Sequence, residues 1–481
     1  MPASPGTMSG STAMPPSDLV TLSAAEIAAA VNAGRLDPVD VAHAFLARIA
    51  ARNADLNALV GFDPAPALQA AVQVRGRLAD GETLPLAGVP LVVKDGFWVE
   101  GRRITQGSPL FRDFVCPRDA LSVARLVRAG AVIVGIGNMP EFGCKDITDN
   151  RLFGATRHPM DLRLTPGGSS GGCAVAVAAD MAPIALGGDG GGSSRRPPAH
   201  VGVVGFKPTN GAVADPWGFP GIMPGIAATC PIGRTVADVA LMFEAMVGPH
   251  PEDPLSLALP QTPVRPPAAL RAAFSPRLGL DVAVDADVAD AVAAAVERLR
   301  VAGLAVAFAD PPWPAGTSEQ RILPIEYSGL AAEFGAAWQR GPTQFDPHVG
   351  AQIEAGLALS AADVARAWGA SLELASSLAP FFVDYDLLLC PTTACVSWPI
   401  DRVNPERIGG APSPHRGHAV FTPLFNHART PAITVPCGAG RDGLPVGLQI
   451  IGPRLADREV LAAAAWMERI LGASARPWLH H

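Results

Sequence analysis

Two clusters of glycine and serine set the tightest limits on how this chain folds. The first reads Gly167-Gly168-Ser169-Ser170-Gly171-Gly172. The second reads Gly187-Gly188-Asp189-Gly190-Gly191-Gly192-Ser193-Ser194-Arg195, with an apolar run over residues 173–179 between them. Glycine accepts positive φ and lets main chain approach a ligand closely, so the pattern predicts two tight turns near each other in space. Successive N–H groups in such turns converge into a nest for an anion. A nest beside a serine hydroxyl supplies what acyl transfer requires: a nucleophile, and donors for a developing oxyanion. Gly-Ser runs also make flexible linkers, but the flanks here are apolar and strand-like rather than polar. Phosphate binding fits less well. No lysine follows the glycines at P-loop spacing, and no G-x-G-x-x-G opens a helix there.

A third element follows, Gly202-Val203-Val204-Gly205-Phe206-Lys207-Pro208-Thr209. Together the three resemble the amidase signature family, serine hydrolases that cut amide bonds. That family's pattern is G-G-S-S-G-G, then D-x-G-G-S with an arginine two residues on, then G-x-x-G-x-K-P-T. The similarity runs from about Leu22 to the C-terminus. It implies a Ser–Ser–Lys triad with Ser193 as nucleophile, Ser169 as bridging serine and Lys94 as base. Lys94 lies in Gly88-Val89-Pro90-Leu91-Val92-Val93-Lys94-Asp95, similar to another family element. The resemblance also implies a cis peptide at Gly168-Ser169, and neither a metal nor an organic cofactor. The main-chain N–H groups of Gly190, Gly191, Gly192 and Ser193 are the expected oxyanion hole.

Taken alone, a lysine at a strand end either snorkels to water or sits in an apolar surround that favours its neutral form. The family match favours the second. Asn138-Met139-Pro140-Glu141-Phe142-Gly143 and residues 150–158 are similar to further family elements. Cys144-Lys145-Asp146 falls where relatives line the substrate site. Three positions depart from the pattern. Gly188 stands for the usual Thr or Ser, Gly190 for Thr, Ile or Ala, and Ile136 where relatives often carry lysine. The two glycines predict a softer loop.

With 49% hydrophobic and 17% charged residues over 481 positions, the chain reads as globular with a large core. A net charge of −7 without a dense basic run argues against nucleic acid, and two tyrosines make base-stacking platforms improbable. Seven cysteines, without a Cys-x-x-Cys pair, fit a reducing, cytoplasmic setting rather than a disulfide framework or zinc ribbon. Residues 1–18 lack the basic start and apolar core of a signal peptide and read as a disordered tail. No apolar run reaches transmembrane length. His480-His481 is not a metal site.

Residues 19–481 read as one large α/β domain, a central mixed twisted sheet covered by helices on both faces. Ser23 with Glu26 is a capping box, Gly34 ends that helix, and Asp37-Pro38 starts another in which Val41, Phe45, Leu46 and Ile49 share a face and His43 is solvated. Strands are expected over residues 86–93, 131–134 and 182–186, and helices over 119–129 and 235–247. Asp189 and Arg195 are expected to pair across the loop. The loop 215–225 carries Trp217, Phe219 and Met223, as a solvent cover or as a wall of the substrate pocket. After a proline-rich connection at 249–267, residues 268–380 form a peripheral insertion. Its strands are expected at 278–282 and 304–308 around a helix at 288–299, followed by helices over 322–378. Strands at 385–390, 432–435 and 446–451 rejoin the main sheet. His415, His418 and His427 invite a metal reading, but no acidic or cysteine partner stands at ligand spacing. A mobile loop over the site is the expectation for residues 412–429.

The chemistry expected is acyl-enzyme hydrolysis of a small hydrophobic or aryl amide, with Cys144, Trp217, Phe219 and Met223 contacting substrate. Aryl carbamates, as for a urethanase, are an alternative within that mechanism. An amidotransferase component working only in a complex is one of a different class, although the tyrosine-rich segment that such a component carries is not apparent. A silent binding protein is disfavoured by retention of all three triad positions. Expected partners are a small-molecule amide or carbamate and, for assembly, a homodimer, with no membrane involved.

Overall fold

Capping chemistry places the first long helices in the computed structural model of this chain, which describes residues 16–472. Ser23 Oγ accepts the Glu26 N–H at 3.2 Å while the Glu26 carboxylate accepts the Ser23 N–H at 2.8 Å, opening the helix Ala24–Asn32. Asp37 accepts the Val39 N–H at 2.8 Å and, with Pro38 at the first position, opens Pro38–Leu56. Val41, Phe45, Leu46 and Ile49 are buried along it, and His43 is exposed. The tail expectation concerns residues that, up to position 15, lie outside those described, as does His480-His481. A helical turn at Pro16–Leu19 opens the described chain.

Strands follow in the order β1 Leu59–Val60, β2 Pro90–Lys94, β3 Val132–Gly137, β4 Ile184–Asp189, β5 Val204–Lys207, β6 Ala228–Gly233, β7 Arg271–Phe274, β8 Ala305–Phe308 and β9 Leu387–Pro391. A small hairpin, β10 Arg407–Ile408 with β11 Ala411–Pro412, stands apart. Strands β12 Ala432–Ala439 and β13 Pro445–Ile451 complete an 11-stranded sheet in the order β1-β3-β2-β4-β6-β5-β12-β13-β9-β7-β8. Pairing is parallel across β3-β2-β4 and β9-β7-β8 and antiparallel elsewhere, so the sheet is mixed. Helices Gly171–Ala178 and Arg196–Val201 pack together against the sheet. Val236–Met246 and Ala286–Val301 both pack against Asp457–Leu471. The α/β architecture read from the sequence is the one observed.

Three local expectations are corrected. The apolar run between the glycine clusters is a helix, Gly171–Ala178, with all eight residues buried. A uniformly apolar stretch carries no period to tell buried helix from buried strand, and its alanines favour helix. Its approach is close: a Cβ on Gly172 would lie 2.3 Å from the Asn138 nitrogen. Residues 278–282 form no strand, because Leu278 and Gly279 both take positive φ; the strand is β7, a few residues earlier. Through β7 and β8 the expected peripheral unit continues the main sheet rather than standing outside it. Finally, residues 416–428 are packed rather than a solvent-facing loop. Two short helical segments, Gly417–Ala419 and Pro423–His427, are buried throughout.

Candidate active site

Parallel strand order brings the chemistry together. Lys94 ends β2 and Asp189 ends β4, its neighbour, so both side chains emerge at the same sheet margin. Ser169 stands just ahead of the helix Gly171–Ala178, whose packing against β2 and β4 holds it there. Lys94 Nζ donates to Ser169 Oγ at 2.7 Å. The Ser170 N–H donates to the Ser193 carbonyl at 3.2 Å, tying the two glycine clusters together. The Gly168-Ser169 peptide is cis. Lys94, Ser169, Ser193, Gly190 and Gly191 all line one cavity of about 400 Å³.

Burial governs the charge state of Lys94. Taking the ammonium out of water pulls its pKa down to about 8. A fraction of the amine is therefore neutral near physiological pH, within hydrogen-bond distance of a hydroxyl. On the other side of the strand Asp95 is pushed up to about 6 by burial, against hydrogen bonds from Thr105 and Gly107. It organises the turn that carries Gln106 to the cavity lining.

The loop after β4 is braced rather than soft. The expected Asp189–Arg195 pair is present and inaccessible to solvent, with Nε to Oδ2 and Nη2 to Oδ1 both at 2.9 Å. Burial opposes ionisation of Asp189, yet the guanidinium and the Asn426 amide hold its carboxyl well below the usual range. Arg195 also donates to Gln449 at 2.8 Å and Asn426 at 2.6 Å, and Thr422 Oγ1 donates to the Gly191 carbonyl at 2.8 Å. Side chains far along the chain thus rigidify a segment whose composition alone reads as loose.

That bracing alters the expected set of oxyanion donors. The Gly192 N–H donates to Asp189 Oδ1 at 2.7 Å and is turned into the scaffold. The Gly190, Gly191 and Ser193 N–H groups take no acceptor among the described residues. Gly190, Gly191 and Ser193 line the cavity, whereas Gly192 does not.

Of the residues expected to contact substrate, Cys144, Phe219 and Met223 line the cavity and Trp217 does not. The Trp217 indole donates to Glu252 at 2.8 Å, stacks under Arg118 and meets the His250 ring, which holds it in the outer layer. Phe219 is fixed among Phe111, Phe114 and Trp98. Phe142 stacks face to face on Phe334 at 3.9 Å. Within loop 215–225, Asp215 and residues 219–225 are therefore a wall of the cavity, and residues 216–218 are not. Sequence reasoning missed Glu326 and Arg416, which also line the cavity, and Thr422, Asn426 and Gln449, which brace it. No periodicity or motif marks them, since each acts through contacts across the fold.

No group of three potential metal ligands occurs among the described residues. His418 is pulled down to about 3 by burial, and His427 meets the Ser371 hydroxyl at 2.9 Å. All seven cysteines are free and buried. Among the described residues no helix is long and apolar enough to cross a membrane.

Comparison with known proteins points the same way. The sequence model of the Amidase family matches residues 40–461. An acylamidase of Rhodococcus erythropolis is 36% identical over 95% of this chain and 96% of its own length. The glutamyl-tRNA(Gln) amidotransferase of Deinococcus radiodurans has a subunit that is also 36% identical, over 93% of this chain and 97% of its own length. The crystal structure of a bacterial aryl acylamidase of the amidase signature family superposes with a TM-score of 0.85 at 28% identity, covering 95% of this chain and 98% of that one.

Proposed function

The chain belongs to the amidase signature family of carbon–nitrogen hydrolases, and from that premise we propose a covalent mechanism centred on Ser193. Neutral Lys94 takes a proton from Ser169, Ser169 takes one from Ser193, and Ser193 Oγ attacks the amide carbonyl. The carbonyl oxygen becomes an alkoxide held by the N–H groups of Gly190, Gly191 and Ser193. As the tetrahedral intermediate collapses the C–N bond breaks, and the relay runs in reverse to protonate the departing amine. Water then enters by the same relay, and the acid leaves with Ser193 regenerated. The observation that carries this reading is the 2.7 Å contact between Ser169 and a buried lysine whose pKa lies near 8.

The substrate proposed is a small amide with a hydrophobic or aryl part. Phe97, Phe142, Phe219, Ile222, Met223 and Pro224 on the cavity wall support it, as does likeness to acylamidases. Aryl carbamates share the geometry at the carbonyl and are the companion substrate class. A second reading, amidotransferase action within a complex, is favoured by the relatives that are amidotransferase subunits. Anilides, primary amides and aryl carbamates offered to the purified chain separate the readings. Turnover of an anilide by the chain alone supports the hydrolase. Complete inactivity on every compound, with the protein folded, would overturn it.

A further inference from the structure

Beside the glycine loop the cavity wall changes from apolar to ionic. Arg416 Nη2 lies 3.7 Å from where a Cβ on Gly191 would stand. Its guanidinium pairs with Glu319 at 2.7 Å and with Asp146 at 3.4 Å, and Asp146 pairs with Arg196 at 2.9 Å. A third carboxyl, Glu326, projects from the helix Leu323–Arg340 into the same cluster. Burial raises the pKa of its carboxyl and the field of Arg416 opposes that, but it has no cation within ion-pair distance among the described residues. Two carboxyls, Asp146 and Glu319, thus take both guanidiniums, and Glu326 is left without an ion pair. Lys145, the next cation on the lining, is committed to Asp346 and Asp149 at 2.9 and 3.1 Å. His418 is held neutral by burial. Glu326 is half-buried and lines the cavity that contains Ser193.

A half-buried carboxyl that lines an apolar cavity and has no cation of its own favours a ligand that brings one. We propose that Glu326 forms a subsite for a protonated amine on the substrate, so that the preferred amides carry an ammonium group on an otherwise apolar frame. The inference rests on the hydrolase reading for what the cavity holds. It differs from that reading in assigning a charge to the substrate. A neutral ligand of the same shape leaves Glu326 facing apolar atoms, whereas an ammonium forms a charge-assisted hydrogen bond in its place.

Calorimetric titration of the Ser193→Ala variant tests this without turnover. One ligand pair is 4-aminobutyryl anilide against pentanoyl anilide, which places the charge on the acyl arm. The other is N-(4-aminobutyl)benzamide against N-pentylbenzamide, which places it on the leaving arm. In at least one pair the ammonium compound is expected to bind about tenfold or more tightly. In Ser193→Ala/Glu326→Gln, checked for a native melting profile, that preference shrinks to less than about threefold. Equal binding within both pairs by Ser193→Ala overturns the proposal whatever the double variant does, and so does a preference that survives Glu326→Gln. Hydrolysis of pentanoyl anilide by the parent is measured in parallel. It reports on the mechanism alone, so failure of the hydrolase reading is distinguishable from failure of the subsite.

Discussion

Lys94 is a base only when it is neutral, and its surroundings set the pH at which that holds. Its folded pKa of about 8 lies below the ordinary 10.5, so the folded state binds fewer protons than the unfolded between those values. Activity and stability both depend on this. The active form accumulates as pH rises, so kcat/KM should climb about tenfold per unit below pH 8 and level off above it. Stability should rise with pH across the window from about 8 to 10.5, because burial opposes the charged form below it. Lys94→Met is therefore expected to lose activity by at least about a thousandfold while melting no lower than the parent at pH 6. A pH–rate profile and thermal melts of the two proteins check both effects. Asp189 and Arg195 behave differently, since each is the other's counter-ion in a site closed to solvent. Arg195→Met strands a buried carboxylate and should cost about 3–5 kcal/mol in denaturant titration.

At the scale of the element, the turn after β4 separates its glycines by what surrounds them. Gly192 has φ +118°, and a Cβ there would fall 2.1 Å from Thr422 Oγ1. Gly192→Ala is expected to lower both the melting temperature and kcat, the latter at least about tenfold, because the strained turn carries Ser193. Gly188 has room: a Cβ there makes ordinary contact with Phe97 at 3.6 Å. Gly188→Ser should keep activity within about threefold, measured with the same anilide. The composition of this turn, which reads as soft, misses its stiffness. The Asp189–Arg195 brace is visible from spacing within the loop. The partners that complete it, Thr422, Asn426 and Gln449, are distant in sequence and carry no local pattern. For the same reason residues 412–429 read as a mobile cover, although their buried half fastens the loop from behind.

Across the whole molecule, the sheet explains why so much is legible and where legibility ends. Short apolar strands punctuated by glycine, and helices with capping boxes, follow from local chemistry and sit close to where the sequence places them. Helix Gly171–Ala178 does not, because a stretch buried on every side has no amphipathic period. Nor could local pattern reveal that β7 and β8 extend the main sheet, since that depends on pairing with β9 much later in the chain. The order of strands places β4, β6, β5 and β12 at the centre and β1 and β8 at the edges, where Phe308 is 81% exposed. Native-state hydrogen exchange should show β8 and β1 opening first and β4 and β6 last, at the free energy of global unfolding. The braced turn would then rest on the most protected strands, which suits the proposed relay of three side chains.

The central claim is that Ser193, activated through Ser169 by neutral Lys94, becomes covalently acylated. The most direct measurement is intact-protein and peptide mass spectrometry after reaction with a fluorophosphonate. One adduct is predicted, on Ser193 and absent from Ser193→Ala, with a labelling rate that rises through pH 8 and drops steeply in Lys94→Ala. An adduct on Ser169 or any other residue, or unchanged labelling of Ser193→Ala, would contradict it.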